Sequence, residues 1–311
     1  MPSFAERLID WQHSHGRRDL PWQQSSDPYR VWLAEIMLQQ TQVATVIGYY
    51  TRFLERFRNL DELAAAPVGD VMALWSGLGY YARARNLHAA ARAVMLQHGG
   101  QFPRDPAALA RLPGIGRSTA NAIAVFCFGA RLPILDGNVK RLLCRYLGIA
   151  GLPGTSSVES RLWQDAAALL PTRQAATYIQ AQMDMGATVC TRRQPRCAAC
   201  PVADRCVARR ENRVTELPTP RPKKTLPERA VTLLVLRAEN CVLLETRPPA
   251  GIWGGLLSLP ELPEGAEATD HCAQHLGVRI DAVLPAPTFT QNFTHFRLHI
   301  RPLFCVAATQ P

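Results

Sequence analysis

The sequence lacks any long hydrophobic stretch. No run of eighteen or more apolar residues occurs, and the first residues, MPSFAERLIDW, contain no hydrophobic segment of a signal peptide. A membrane-spanning helix needs about 20 apolar residues, and a secretion signal needs an apolar segment of about 7–15. We therefore expect no membrane association and a soluble, cytoplasmic protein.

Acidic residues are also in short supply. The chain has 25 Asp and Glu against 35 Lys and Arg, which gives a net charge of +10 and an isoelectric point near 9.5. This excess favours a polyanionic partner, although charge alone is weak evidence because many basic proteins bind none. The length of 311 residues suits two domains, and a hydrophobic content of 47% is ample for their cores.

The nine cysteines do not form an evident disulfide framework. Five are scattered and are expected to be single core thiols. The other four, Cys190, Cys197, Cys200 and Cys206, have the spacing C-x6-C-x2-C-x5-C. Four thiolates in so short a loop can bind zinc or an iron-sulfur cluster. A disulfide pair is the less favoured alternative in an intracellular chain.

Most of the first 207 residues have helical periodicity. Helices are predicted at residues 4–15, 42–57, 80–98, 156–170 and 174–188, and Asp27 followed by Pro28 marks the start of another. Residues 208–229 are rich in proline and basic side chains, which predicts an extended linker that includes Lys223 and Lys224. Strand-like segments follow at residues 231–237 and 241–247.

Residues 109–143 read LARLPGIGRSTANAIAVFCFGARLPILDGNVKRLL and predict a helix, a tight turn and a helix from Arg117 to Phe128. Gly114 and Gly116 have no Cβ, so the amides that open the next helix can approach an anion such as a phosphate. A β-hairpin is the alternative, which the helical runs on both sides disfavour. Asp136 stands where it can cap a helix that runs to Leu147, and a plain N-cap is its simplest interpretation.

The GIG hairpin followed at this distance by LDGNVKR resembles the helix-hairpin-helix DNA glycosylases. Together with AEIMLQQTQV at residues 34–43 and GLGYYARARNLH at residues 77–88, it is similar to their adenine-specific branch, the MutY family. The resemblance implies an all-α catalytic domain at residues 1–207, comprising a six-helix barrel and an iron-sulfur loop. It also implies monofunctional removal of adenine opposite 8-oxoguanine or guanine in double-stranded DNA, during base excision repair, by a monomer.

The same resemblance assigns the catalytic groups. Glu35 is implied to be the general acid, Asp136 the carboxylate that faces the sugar, Asn138 its orienting partner, and Ser118 a neighbour of the reacting sugar. Without the family match, Glu35 would be taken for a solvent-facing residue. Its apolar neighbours on the predicted helix are expected to raise its pKa, whereas a helix N-terminus is expected to keep Asp136 ionised.

Further residues are implied to contact DNA. Gln40 and Tyr80 correspond to wedges that enter the base stack, and Gly114 and Gly116 to the backbone-binding hairpin. Leu20, Trp22 and Gln180 would line the adenine pocket, and Thr41 and Leu78 would lie near the lesion base. Core packing, helix caps and surface exposure are the ordinary alternatives for these side chains.

The cysteine spacing matches the [4Fe-4S] loop of the endonuclease III and MutY enzymes, so Cys190, Cys197, Cys200 and Cys206 are implied to be cluster ligands. The segment TRRQPR between the first two cysteines would then be a cationic loop aimed at phosphates, with no part in the chemical step.

Residues 230–311 resemble an α/β Nudix-like domain. The segment GIWGGLLSLPEL resembles the entry to that fold, and Gly255 and Glu261 fit the first step of its signature. The catalytic carboxylates that should follow are missing, since residues 269–274 read TDHCAQ, so the domain is expected to recognise a lesion without hydrolysing nucleotides. Thr294 and His295 resemble the loop that senses 8-oxoguanine, with Thr294 in place of the usual Ser. The segment is short for this fold, which leaves open whether it is truncated.

Three other functions remain open at this point. A bifunctional endonuclease III-like lyase would have a Lys two residues after the second hairpin glycine, where this chain has Ser118. Asn121, where the MutY family often has Gly, is a lyase-like detail. A non-catalytic iron-sulfur DNA-binding protein needs neither Glu35 nor Asp136, and a nucleotide hydrolase would need the missing carboxylates.

Overall fold

The computed structural model describes residues 2–23, 25–222, 225–238, 240–248 and 251–307. The chain divides into two compact units, Met1–Arg221 and Pro222–Pro311. The first is helical and the second is rich in strands, which confirms the predicted order of an all-α domain followed by an α/β domain. Lys223 and Lys224 of the predicted linker lie outside the described residues.

The helices of the first unit span α1 (Phe4–His15), α2 (Pro28–Leu38), α3 (Val43–Arg56), α4 (Leu60–Ala65), α5 (Val68–Trp75), α6 (Ala82–His98), α7 (Pro106–Leu109), α8 (Arg117–Phe128), α9 (Gly137–Leu147), α10 (Ser156–Ala168), α11 (Ala175–Thr188) and α12 (Val207–Arg210). Local capping explains several of their ends. The Asp27 side chain accepts the Tyr29 amide at the start of α2, and Gly99 ends α6 in the left-handed conformation, as predicted. The sequence reading missed the short α4 and α5.

The helices of the first unit form two groups. Helices α2–α8 pack around large buried side chains such as Trp32, Phe53 and Trp75, whereas α1 and α9–α12 surround a second core that includes Leu143 and Tyr178. Helix α8 contacts both α2 and α11, so it joins the two groups. Because the groups meet along α8, side chains from α2, α8 and α11 can face one another across the space between them.

The predicted linker is too long at its N-terminal end. Residues 208–221 belong to the first unit, where Ala208 is fully buried and α12 packs on α9. The buried guanidinium of Arg145 donates to the carbonyl of Leu217, which fixes this segment further. The prolines suggested an extended linker, but buried hydrophobic side chains and a hydrogen bond hold residues 208–221 against the helices.

The strands of the second unit span β1 (Glu228–Ala238), β2 (Cys241–Val242), β3 (Glu245–Thr246), β4 (Leu257–Ser258), β5 (Glu261–Leu262), β6 (Ile280–Pro285), β7 (Phe289–Asn292) and β8 (Arg297–Ala307), with one helix, α13 (Ala268–His275). Strands β1 and β8 run parallel in the centre of a mixed sheet, in the order β2-β1-β8-β6. The strand predicted at residues 241–247 is interrupted, since only its two ends pair, with different partners.

The sheet of the second unit has a small core on each face. Leu234, Leu236 and Cys305 pack with Cys272 of α13, whereas Leu233 packs with Phe296 and other side chains on the opposite face. The alternation of Leu233 and Leu234 between the two faces follows from the two-residue period of a strand. Among the described residues, no helix of either unit is long and apolar enough to cross a membrane.

We expect Gly114→Ala to lower the free energy of unfolding by about 1–3 kcal/mol. Gly114 has a φ of 75°, and an added Cβ would lie 2.8 Å from the Cβ of Asn86. Gly116 has a negative φ and nothing within 4 Å of an added Cβ, so Gly116→Ala is the matched control. Urea unfolding of both variants measures the difference, and equal losses would contradict this account of the hairpin.

Candidate active site

A cleft of about 780 Å³ opens in the first unit. Its walls come from α1, the segment before α2, α2 itself, α8, the segment before α9, and α11. The predicted site residues that line it are Leu20, Trp22, Glu35, Thr41, Ser118, Asp136, Asn138 and Gln180. Residues from distant parts of the sequence are therefore brought together on one cavity, as an active site requires.

Glu35 enters the cleft from the middle of α2. Val31, Ala34 and Leu38 of the same helix also line the cleft and give it an apolar wall there. Glu35 as a whole is half-buried, and its carboxyl group is surrounded by protein atoms. Burial, followed by the negative charge of Asp136, raises the pKa of Glu35 to about 7. The carboxyl group can therefore hold a proton near neutral pH.

Asp136 caps the N-terminus of α9. Its Oδ1 accepts the Val139 amide at 2.7 Å, and its Oδ2 accepts Nδ2 of Asn138 at 3.1 Å. Burial raises the pKa of Asp136, and these hydrogen bonds offset only part of the rise. The net shift is thus opposite in direction to the effect expected from the helix N-terminus alone. Burial was not visible in the sequence, where Asp136 follows two ordinary hydrophobic residues.

Asn138 is held on its other side by Arg141. The Arg141 Nη2 donates to Oδ1 of Asn138 at 2.8 Å and to the carbonyl of Gly186. Its Nε donates to the carbonyl of Cys190 at 2.7 Å. Because its oxygen accepts from Arg141, the Asn138 amide must present its NH₂ group to Asp136. The contact with Cys190 also connects this amide to the start of the cysteine loop.

Ser118 lies next to Asp136 in space. Its Oγ accepts the backbone amide of Leu135 at 3.0 Å, so it fixes the residue immediately before Asp136. Asn121, on the same helix, is buried and donates to the carbonyl of Pro133 at 2.7 Å. Asn121 therefore supports the same segment, and its position gives no support to a lyase.

The sequence reading missed a buried carboxylate, Asp184, at the back of the α11 wall. The Asp184 side chain is fully buried and accepts from Nε and Nη2 of Arg17, from the Arg17 amide and from Gln12. Gln180 donates to the same carboxylate at 3.0 Å, so its amide orientation is set from within the protein. An Asp four residues after Gln180, and the one charged residue of α11, was the available signal.

Gln40, Leu78 and Tyr80 do not line the cleft, although Gln39 and Thr41 on either side of Gln40 do. Leu78 is buried, whereas Gln40 and Tyr80 are exposed at two loop positions with φ values of 58° and 50°. Left-handed backbone is uncommon for residues other than glycine and concentrates at functional sites. Gln40 and Tyr80 are thus exposed side chains on strained backbone.

The glycine hairpin presents a helix N-terminus to solvent. Gly116 is exposed and is the N-cap of α8, where no side chain caps the first amides. Gly114 approaches Asn86 of α6 so closely that the turn packs directly on that helix. The positive end of α8 and its amides are therefore available to an anion.

The four loop cysteines surround one small cavity, together with Arg145 and hydrophobic side chains. Burial raises the pKa of Cys200, and the negative charges of the other three thiolates add to the rise, so each of the three lies within electrostatic reach of Cys200. No group of three metal-binding side chains among the described residues has the spacing for a single ion. Four thiols around one cavity are the ligand set that an iron-sulfur cluster uses.

Thr294 and His295 belong to the second unit. Both are exposed, and Oγ1 of Thr294 lies 3.3 Å from Nδ1 of His295. The preceding Phe293 stacks on the buried Phe296, which anchors the loop. In the same unit Glu261 is paired with Arg247 at 2.5 Å, so the one carboxylate that fits the Nudix signature has a cation as its partner.

Comparisons with known proteins assign each part of the chain to a family. Residues 33–167 match the family model of the HhH-GPD superfamily base excision DNA repair proteins. Residues 190–206 match the iron-sulfur binding domain of endonuclease III, and residues 231–311 match the NUDIX domain. The cysteine loop is thus an iron-sulfur loop, as predicted from its spacing.

Relatives match over most of the length. An adenine DNA glycosylase of Buchnera aphidicola is 37% identical over 96% of this chain and 85% of its own. The human adenine DNA glycosylase is 43% identical over 67% of this chain and 39% of its own. A thermostable thymine-DNA glycosylase has a similar structure, with a TM-score of 0.60 at 27% identity, over 67% of this chain and 95% of its own. The chain belongs to the adenine DNA glycosylase family.

Proposed function

We propose that this protein removes adenine that is mispaired with 8-oxoguanine or guanine in double-stranded DNA, by hydrolysing the N-glycosidic bond. The observation that carries the proposal is the pair of carboxyl groups in one cleft. Glu35 has a pKa of about 7, and the charge of Asp136 contributes to that value. An acid that is protonated near neutral pH beside a second carboxylate is the arrangement that glycosidic bond cleavage uses.

The two groups would act in sequence. Adenine leaves poorly as an anion, so Glu35 would donate its proton to N7 while the bond between the base and the sugar breaks. Both bonding electrons go to the base, and the sugar is left as an oxocarbenium ion. Asp136 would stabilise that cation or attack it, and water would complete the hydrolysis at C1′. Asn138 and Ser118 would orient Asp136, because their hydrogen bonds fix its carboxylate and the residue before it.

The chemistry would be monofunctional. A lyase needs an amine that forms a Schiff base with the sugar. Ser118 stands at the position after the hairpin where a lyase would have its lysine, and no lysine is among the described residues that line the cleft. All the proposed catalytic groups come from one unit of one chain, so a monomer suffices.

The remaining residues would hold the substrate. The hairpin of Gly114 and Gly116 would bind a phosphate through the exposed amides of α8. Leu20, Trp22 and Gln180 would enclose the adenine, with the Gln180 amide fixed by Asp184. Gln40 and Tyr80 would enter the base stack and compensate for the extruded nucleotide, while Thr41 and Leu78 would lie near the opposite base. Thr294 and His295 would recognise 8-oxoguanine through their side-chain donors and acceptors.

The iron-sulfur cluster would have a structural role here. Cys190, Cys197, Cys200 and Cys206 would hold it, and when bound it supplies a rigid cross-link within the loop. Arg192 and Arg193, which follow the first ligand, are exposed and would contact phosphates. The carbonyls of Thr191 and Arg192 accept from the buried guanidinium of Arg145, which orders the loop from below.

We expect Glu35→Gln and Asp136→Asn each to lower the single-turnover rate of adenine release by at least about 100-fold. Neither change affects the proposed phosphate contacts, so affinity for the duplex should fall little. The assay uses duplexes with A opposite 8-oxoG, G or C, and the controls are Glu55→Gln and Asp61→Asn at exposed helix positions.

Several outcomes would contradict the proposal. Adenine release by either site variant at the wild-type rate would remove the catalytic assignment. Absence of release by the wild-type protein would favour a non-catalytic DNA-binding protein. Trapping of a covalent complex by borohydride with the efficiency of a lyase would overturn the monofunctional chemistry.

The pKa of Glu35 predicts the pH dependence of the reaction. Because Glu35 must be protonated to donate, the single-turnover rate should fall as the pH rises through about 7. A rate that increases between pH 6 and pH 8 would contradict the role of Glu35 as the acid. Glu55→Gln should leave the profile unchanged.

The same pKa predicts a gain in stability on substitution. The folded pKa is raised above the ordinary value of 4.5, so the folded state resists ionisation of Glu35 and loses stability as the pH rises from about 4.5 to 7. Glu35→Gln removes this cost and should raise the free energy of unfolding at pH 8 by on the order of 1–3 kcal/mol. Urea unfolding at pH 5 and pH 8 measures it. An equal gain at both values would show that the effect does not come from ionisation.

A further inference from the structure

The first unit contains a buried guanidinium with no carboxylate partner among its hydrogen bonds. Arg83, near the start of α6, is 7% exposed, and burial lowers its pKa to about 10. Its two terminal nitrogens donate to the last turn of α2, to the loop that follows α2, and to the loop before α6. The acceptors of Nη1 are the carbonyls of Ile36, Met37 and Gln39, and those of Nη2 are Oγ1 of Thr41 and the carbonyls of Leu78 and Gly79.

Several of these acceptors lie next to Gln40 and Tyr80, the exposed loop residues that have a positive φ. Gln39 and Thr41 are the neighbours of Gln40 on either side, at 2.6 Å and 3.1 Å from the guanidinium. Gly79 precedes Tyr80 and lies at 3.1 Å. One side chain therefore binds the backbone next to Gln40 and next to Tyr80, which are two of the five non-glycine residues with a positive φ in the described part of the chain.

The aromatic rings around the guanidinium extend this arrangement. Arg83 lies over the ring of Tyr80 at 5.5 Å and over the ring of Trp75 at 5.3 Å. The Trp75 Nε1 donates to the carbonyl of Gly79, which Arg83 also contacts. Tyr80 is thus fixed through the backbone before it and through its ring, although 42% of the residue is exposed.

Left-handed backbone at a non-glycine residue persists only where the surroundings enforce it. Here Arg83 binds carbonyls at the end of α2 and in the two loops that carry Gln40 and Tyr80. A planar guanidinium offers donors in a fixed fork, so it sets the separation of the groups it binds. A lysine ammonium concentrates three donors at one point and cannot span both loops in the same way.

We propose that Arg83 is a positioning residue that sets the distance between the Gln40 and Tyr80 loops, so that both side chains enter the base stack together. This inference rests on the proposed function, in which these two residues are the wedges. Arg83 would not touch DNA or adenine. Arg83 would keep both loops in their strained conformation in the free protein. DNA binding would then not include the free-energy cost of ordering these loops.

The proposed role of Arg83 predicts different effects on a stacked adenine and on an extruded one. A defect in Arg83 should impair the extrusion of a stacked adenine but not the chemistry of an adenine that is already extruded. Arg83 donates to the carbonyl of Ile36, next to Glu35, but neither the Glu35 nor the Asp136 carboxyl group is among its hydrogen-bond partners. We therefore expect bond cleavage itself to be preserved, and the extruded substrate tests this directly. A merely structural defect would reduce the rates on both kinds of substrate.

The test compares Arg83→Lys with Arg92→Lys, which makes the same change at an exposed position of α6. Single-turnover rates, with enzyme in excess, are measured on a paired A:8-oxoG duplex and on a duplex whose adenine lies in an unpaired bulge. Fluorescence of 2-aminopurine in place of the adenine reports extrusion without chemistry. We expect Arg83→Lys to lower the rate on the paired duplex by about tenfold or more and to reduce the fluorescence increase. The rate on the bulged duplex should change by less than about threefold.

A second comparison separates positioning from loss of folding. The change Arg83→Lys is repeated in a Gln40→Ala, Tyr80→Ala background, where the loops no longer carry wedges. If Arg83 acts through them, the rate loss in that background should be much smaller than in the wild type, whereas an independent structural effect would be additive. Should Arg83→Lys fail to fold, Thr41→Val removes one acceptor alone and should shift the paired-duplex rate in the same direction by a smaller factor.

The outcomes are distinguishable. Equal rate losses on both duplexes, or additivity with the wedge substitutions, would overturn the inference about Arg83. Absence of extrusion by the wild-type protein, or of any effect of Gln40→Ala and Tyr80→Ala, would instead overturn the proposed wedge function. Arg92→Lys should behave as the wild type in every assay.

Discussion

Burial of the Glu35 carboxyl group is the constraint that the rest of the site depends on. A carboxylate loses its hydration in an apolar wall, and the nearby charge of Asp136 adds to the cost of ionising it. The folded state loses stability at this one position of α2. In return, Glu35 keeps the proton that we propose it donates to the leaving base. Asp136 is also buried, but it receives hydrogen bonds from the start of α9 that Glu35 lacks. The two carboxyl groups differ in their partners, and that difference supports the roles we propose for them.

Other parts of the first unit maintain this arrangement from a distance. Asn138 presents its NH₂ group to Asp136 because Arg141 occupies its oxygen, and Arg141 reaches the carbonyls of Gly186 and Cys190. The start of the cysteine loop is therefore connected to Asp136 through Arg141 and Asn138. An ordered loop would help keep Arg141, and through it Asn138, in place. This gives the iron-sulfur loop a physical connection to the site without a part in bond cleavage.

The sequence was informative wherever the signal was local. The start of α2 at Asp27 and Pro28, the cap at Asp136 and the cysteine spacing each depend on a few adjacent residues, and all three appear in the structure. It was uninformative where a role depends on distant partners. Asp184 is surrounded by residues from α1 and the segment after it. Arg83 lies in the segment ARARN, where nothing in the sequence distinguishes it from Arg85. Their burial is a property of the fold, and nothing adjacent in the chain records it.

Asp184 and Arg83, a buried anion and a buried cation, have the same effect on the structure around them. A buried ion without partners is costly, so each must be surrounded by hydrogen-bonding groups, and those groups are thereby fixed in position. Asp184 collects donors from Gln12, Arg17 and Gln180 and so orients one side of the cleft. Arg83 binds acceptors at the end of α2 and in two loops. Hydrophobic packing could hold the same helices together, but it would not specify the direction of an amide or the φ of a single loop residue, and a site that must grip one extruded nucleotide requires both.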